Sequence, residues 1–203
     1  MFPTVTISLP VWAEEFCRTK GMHHAGDEAQ MRFVIALAAE NVRRGGGGPF
    51  GAAVFDEKGN LVAPGMNRVT AMNCSACHAE IMALVIAQKT VGRFDLSDGG
   101  KLQYTLVSTT EPCAMCLGAV PWSGVSRLVC GARDEDARAI GFDEGNKPQE
   151  WVAALGKRGI AVRQGVLAAD AASVLRAYVD AGGLIYNSGP AKGPASGLRK
   201  TEA

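Results

Sequence analysis

The chain has 203 residues, of which 47% are hydrophobic and 20% charged, enough for one compact domain with a real core. Lys plus Arg number 21 against 20 Asp plus Glu, a near-neutral balance that argues against a protein tracking a phosphate backbone. No apolar run approaches the length of a membrane span, and the opening "MFPTVTISLPVWAEEF" lacks the basic leader and apolar segment of a signal peptide. A cytoplasmic location is therefore expected, with no membrane and no nucleic acid as partner.

In chain order, residues 1–27 read as a loosely attached N-terminal arm with one short helix near 10–19. Asp27 and Gln30 form a capping pair for a helix over 28–44, where Met31, Val34, Ile35, Ala38 and Val42 recur at helical spacing. "GGGGPFG" breaks that helix, and "AAVFDEKGNLVAPG" reads as a hairpin turning at Lys58–Asn60. A second helix begins close to His78 and runs through "EIMALVIAQK". "LQYTLVSTT" (102–110) is a buried strand, and "PCAMCLGAVPW" opens a third helix limited by Pro121. "VSRLVCGA" (125–132) is another strand, followed by an irregular acidic stretch, "RDEDARAIGFDEG". "WVAALGKRG" reads as a helix, "IAVRQGV" as a strand and "AADAASVLRAYVDAGG" as the final helix. Residues 188–203 belong to a Pro/Gly-rich tail that reads as disordered. Strands and helices alternate after the hairpin, which predicts an α/β fold with a central mixed sheet between helical layers.

The stretch "NCSACHAE" (73–80) admits two exclusive readings. Cys74, Cys77 and His78 spell C-x-x-C-H, a covalent haem attachment site. His78 and Glu80 spell H-x-E, half of the zinc deaminase signature, whose other half is Pro112-Cys113-x-x-Cys116. One imidazole and two thiolates supply three ligands of a tetrahedral zinc and leave the fourth position open for water. Cys113 and Cys116 lie three apart, so one helical turn points both sulfurs the same way. Both ligand-bearing helices would begin at the ligands, where unpaired N–H groups favour thiolate over thiol. Glu80 is then the general acid/base beside an activated water, not a ligand. A structural knot of Cys74, Cys77, Cys113 and Cys116 would need a shorter intervening segment and leaves His78, Glu80 and Pro112 unexplained. Haem is set aside, since its attachment occurs outside the cytoplasm and no export signal is seen. Cys74 and Cys77 become non-ligands, with Cys77 lining the site. Cys17 and Cys130 complete the six cysteines, read as thiols or ligands and not as a disulfide framework.

With "GGPFGA" (47–52), "GMNRVT" (65–70), "HAE" (78–80), "EPCAMCLGA" (111–119) and "GFDE" (141–144) in order, the chain resembles the cytidine deaminase superfamily and, within it, the bacterial guanine deaminases. The resemblance covers 28–187, taken as the zinc-dependent deaminase domain. It implies a three-layer α/β/α fold, one zinc per subunit on His78, Cys113 and Cys116, and proton transfer by Glu80. It also implies a homodimer whose C-terminal segments are exchanged, and a hydrolase turning guanine into xanthine and ammonia in purine catabolism. Carried over onto this sequence, Asn67 would bind the polar edge of the base and Phe50 would pack on its plane. Phe142 would add a second wall, and Tyr186 in "LIYNSG" would be the aromatic of the tail. Glu144 would face the ring N–H and amino group; the familiar form there is "GFDD", so glutamate is one methylene longer. Guanine offers two adjacent donors that a carboxylate accepts, whereas adenine sets a ring lone pair against it, a mismatch that can discriminate by about 10⁴–10⁵. A tRNA adenosine deaminase shares the zinc signature but should carry a basic face, and a cytosine or cytidine deaminase leaves "GFDE" without a task. His23 and His24 read as bystanders.

Overall fold

The computed structural model describes residues 1–187; the tail expected to be disordered at 188–203 lies outside the described residues. Five strands form one sheet in the order β2-β1-β3-β4-β5. β1 (Gly51–Asp56) pairs antiparallel with β2 (Leu61–Met66) and with β3 (Tyr104–Thr110), while β3, β4 (Arg127–Ala132) and β5 (Ala161–Arg163) run parallel. The expected mixed sheet between helical layers is the observed architecture.

Strand alternation decides what each face meets. Ala52, Val54, Leu106, Leu128 and Cys130 point to one side, into a core closed by α4 (Ala79–Val91), α5 (Ala114–Ser123) and α7 (Trp151–Gly156). Ala53, Phe55, Val107 and Val129 point to the other, against α1 (Trp12–Lys20) and α2 (Gly26–Arg43). α8 (Ala168–Asp180) packs beside α2 and covers β4 with Ala171, Ala172 and Leu175. On the α4 side the chain comes so close to β2 that a Cβ on Gly65 would overlap Ala79 O and sit 2.5 Å from the Ala83 nitrogen.

Four local expectations are corrected. The first 27 residues are not loosely attached throughout, because Ala13 and Cys17 of α1 are buried in the α2-side core and His23 bridges to Asn60. Asp27 does not cap α2. Its carboxylate takes two bonds from Arg127 (2.6 and 2.7 Å) and one from Arg163 (2.6 Å), while the Gln30 amide donates to His24 O. Buried charge seeks opposite charge before it seeks a helix end. Pro121 lies inside α5, which continues to Ser123. The acidic stretch is irregular only in its second half, since Asp134–Ala139 forms α6, whose start is capped by Asp136 Oδ2 accepting the Arg133 N–H at 2.8 Å. A short helix α3 (Val69–Met72), unforeseen in the sequence, follows β2.

The register brings the functional segments to one edge of the sheet. Gly51 pairs with Met66, and β3 and β4 both end there, at Thr110 and Ala132. Phe50, Asn67, Glu111 and the loop after α6 therefore converge on the same rim.

Candidate active site

A cavity of about 350 Å³ opens at this rim. His78 is the N-cap of α4 and Cys113 the N-cap of α5, with Cys116 in the first turn of α5. Two helix N-termini thus bring their unpaired N–H groups to the thiolates and to Glu80. One donor atom each from His78, Cys113 and Cys116 lies within 4.8 Å of the others, and His78 Nδ1 is 3.4 Å from Cys113 Sγ. Metal–ligand lengths of about 2.0–2.3 Å in a tetrahedron require separations of this order.

The electrostatics call for a cation. A hydrogen bond from the Cys116 thiol, ahead of the one from His78, holds Cys113 down at about 4 despite its burial. The same contact, then burial and the Glu80 charge, push Cys116 well above the ordinary thiol value. Burial and the Cys113 charge raise Glu80. Burial, followed by the charges of Cys113 and Glu80, pushes Glu144 up to about 8. Burial opposes charge on His78, but Cys113, Glu80 and Glu144 outweigh it and raise its pKa. Four acidic groups crowd one cavity, and a divalent cation is the counter-charge that lets them ionise together. The soft S₂N donor set fits zinc.

All the anticipated residues meet here: Phe50, Asn67, His78, Glu80, Cys113, Phe142, Glu144 and Tyr186 line the cavity, with Cys116 buried behind Cys113. Glu80 accepts the Ser108 hydroxyl at 3.2 Å. Asn67 Oδ1 accepts the Gly48 and Val69 N–H groups at 3.3 and 3.2 Å, leaving Nδ2 buried and unpartnered among the described residues. The Phe142 ring lies 5.0 Å from Phe50 and 5.1 Å from Tyr186, and the Glu144 carbonyl accepts the Ala114 N–H at 2.9 Å. Cys77 is buried but does not line the cavity; Ser75 does. Cys74 and Cys77 bracket a turn closed by the Cys77 N–H on Cys74 O at 3.1 Å, apart from the metal-ligand group. His78 is thereby committed to the H-x-E reading. His23 and His24 stay outside the cavity and brace the arm on Lys58 O and Gly21 O.

Sequence reasoning missed Ser108, Thr110, Glu111, Met115, Asp143 and Asn187. Ser108 had a signal, because it shares the α4-facing parity of Leu106. Asn187 had none beyond its place after Tyr186.

Residues 24–132 match the family described as the cytidine and deoxycytidylate deaminase zinc-binding region, which is more than half of the chain. The chain belongs to that family. Within it, the chain is 38% identical over 117 residues to a guanine deaminase of Bacillus subtilis, 58% of this chain and 71% of that one. It is 37% identical over 115 residues to a tRNA-specific adenosine deaminase of Haemophilus influenzae, 57% of this chain and 63% of that one. Among solved structures, a guanine deaminase from Nitrosomonas europaea is 45% identical with a TM-score of 0.82, covering 88% of this chain and 97% of that one. A deaminase-fold structure with bound 2,6-diaminopurine is 45% identical with a TM-score of 0.81, covering 90% of this chain and 96% of that one.

Proposed function

We propose that this protein is a zinc-dependent hydrolase that deaminates guanine to xanthine and ammonia, water replacing the exocyclic amino group of the cyclic amidine. The observation that carries the choice of base is the Glu144 carboxylate buried in the same cavity as His78, Cys113 and Cys116. It can accept at both oxygens, and guanine presents a ring N–H beside an amino group. Asn67 Nδ2, unpartnered among the described residues, supplies a donor, which suits an acceptor on the base. A solved relative 45% identical to this chain holds 8-azaguanine, which keeps both the ring N–H and the 2-amino group of guanine and supports the same edge.

In this reading His78, Cys113 and Cys116 would hold one zinc, whose chemistry there would be to acidify water for attack on the base. Glu80, buried in the cavity two residues after His78, would take up a proton there and deliver it to the base. Glu144 anchors the ring N–H and the departing amine and can relay the second proton. Phe50, Phe142 and Tyr186 enclose the ring plane and keep bulk water out. The reading includes a role in purine catabolism and a cytoplasmic location.

A homodimer is part of the reading, supported by the exposed Met115 and Trp122 on α5 beside a groove of Leu117, Pro121 and Trp151. In the structure Tyr186 reaches the cavity of its own chain, so the reading takes closure within one subunit, and exchange would put the partner's segment in the same place. Mixing a Glu80→Gln protein with a Tyr186→Ala protein tells the two apart: activity returns in the mixture only if the segment is exchanged.

The function is tested with guanine, adenine, cytosine, cytidine and guanosine, scored for ammonia release, with and without a chelator. Guanine should lead and the chelator should remove the activity. Ammonia released chiefly from cytosine or adenine contradicts the reading.

A further inference from the structure

Residues 184–187 leave α8 with neither helix nor strand geometry, yet both ends of this strap are fixed. At the near end the Tyr178 hydroxyl donates to Leu184 O at 2.7 Å, and the Gly183 N–H to Tyr178 O at 2.8 Å. At the far end the Asn187 amide holds the loop after α6. Its Nδ2 donates to Gly141 O at 2.7 Å, and its Oδ1 accepts the Asp143 N–H at 2.9 Å. Gly141 and Asp143 flank Phe142 and lead directly into Glu144.

Between these anchors the strap reaches the cavity. Ile185 packs toward Gly141, the Tyr186 ring stands 5.1 Å from Phe142, and a Cβ on Gly48 would collide with the Tyr186 hydroxyl. That hydroxyl is buried without a hydrogen-bond partner among the described residues. A primary amide can donate to a carbonyl and accept an N–H from one planar end, which is what the loop presents on its two sides. With both ends of the amide engaged, Asn187 acts through its neighbours and not on the base.

We propose that Asn187 is a positioning residue that latches residues 184–187 onto the Phe142–Glu144 loop. Closure of Tyr186 over the base and presentation of the Glu144 carboxylate are then one coupled arrangement. The proposal rests on the guanine-deaminase reading above. It makes the strap a specificity element, because a latched Tyr186 leaves no room for a sugar on the base.

Asn187 is exposed, so its replacement leaves the core intact; zinc content and thermal unfolding serve as controls. In the zinc-loaded full-length enzyme, Asn187→Ala should raise KM for guanine roughly tenfold, with a smaller loss in kcat. It should also narrow the preference for guanine over guanosine. Asn187→Asp keeps the acceptor but sets a carboxylate against Gly141 O, and should behave like alanine, whereas Asn187→Gln keeps both functions and should recover part of the wild-type KM. In a Tyr186→Ala background the alanine change at 187 should lose most of its effect, as expected for residues acting through one contact. Hydrogen exchange separates the latch from the substrate assignment, since peptides over 141–145 should lose protection in Asn187→Ala whatever the substrate. A wild type inactive on guanine with that loss of protection sinks the assignment and keeps the latch. Unchanged exchange, or an Asn187→Ala enzyme with wild-type KM and wild-type guanosine discrimination, overturns the latch.

Discussion

Glu80 stands in the first turn of α4, two residues after His78, with Ser108 beneath it. It is held close to the metal ligands without being needed as one. Glu80→Gln preserves size but cannot carry a proton, so kcat should fall about 10²–10⁴-fold or more while zinc per subunit stays at wild type. Near-normal turnover in that variant ends the assignment. The ligand set separates the cysteines. Cys113→Ala or Cys116→Ala should lose both zinc and activity, and Cys74→Ala should keep both, as read by metal analysis of the purified proteins. Loss of zinc in Cys74→Ala would restore the four-cysteine alternative. These residues were legible because H-x-E and P-C-x-x-C carry their geometry in short spacings, each across a helix start. Asn187 was not, since its partners are backbone groups 44 and 46 positions away.

The elements α2 and α4 show how packing overrides local rules. Asp27 has the sequence position of a helix-capping residue, yet it ties α2 to β4 and β5 through Arg127 and Arg163. The Arg127 hydrogen bond, against the cost of burial, leaves its pKa below the usual 3.8. A carboxylate depressed in the folded state contributes stability that is present above the unfolded pKa and lost as pH falls through the folded one. Asp27→Asn should therefore cost about 2–3 kcal/mol near neutral pH and flatten the loss of stability below pH ~4, measured by denaturant unfolding across pH. Equal acid sensitivity in the two proteins would contradict this role. Gly65 is demanded by the close approach of β2 to α4. Gly65→Ala should cost about 1–3 kcal/mol of stability and weaken zinc binding, because the displaced turn carries Glu80 and follows His78. An alanine variant with unchanged melting temperature and zinc affinity removes that argument. The long helices and the buried strands were readable from apolar periodicity, whereas α6 was hidden because its charged residues give no apolar stripe.

Across the whole molecule, the parallel pair β3–β4 and the antiparallel hairpin β1–β2 bring Phe50, Asn67, Glu111 and the loop after α6 to one rim. His78, Cys113 and Cys116 come from the starts of α4 and α5, Asn67 and Glu144 from the loops after β2 and α6, and Tyr186 from the strap after α8. Alternating strands and helices made that layered fold legible, but the pairing of distant loops depends on register. We propose that Glu144 in this assembly reads the donor edge of guanine. The most direct measurement is the ratio of guanine to cytosine kcat/KM in the wild type and in Glu144→Gln, an isosteric amide that cannot accept at both ends. The wild type should strongly favour guanine, and the variant should bind zinc normally but lose most guanine turnover, in kcat as well as KM. A wild type that prefers cytosine, or a Glu144→Gln enzyme that deaminates guanine at the wild-type rate, would contradict it.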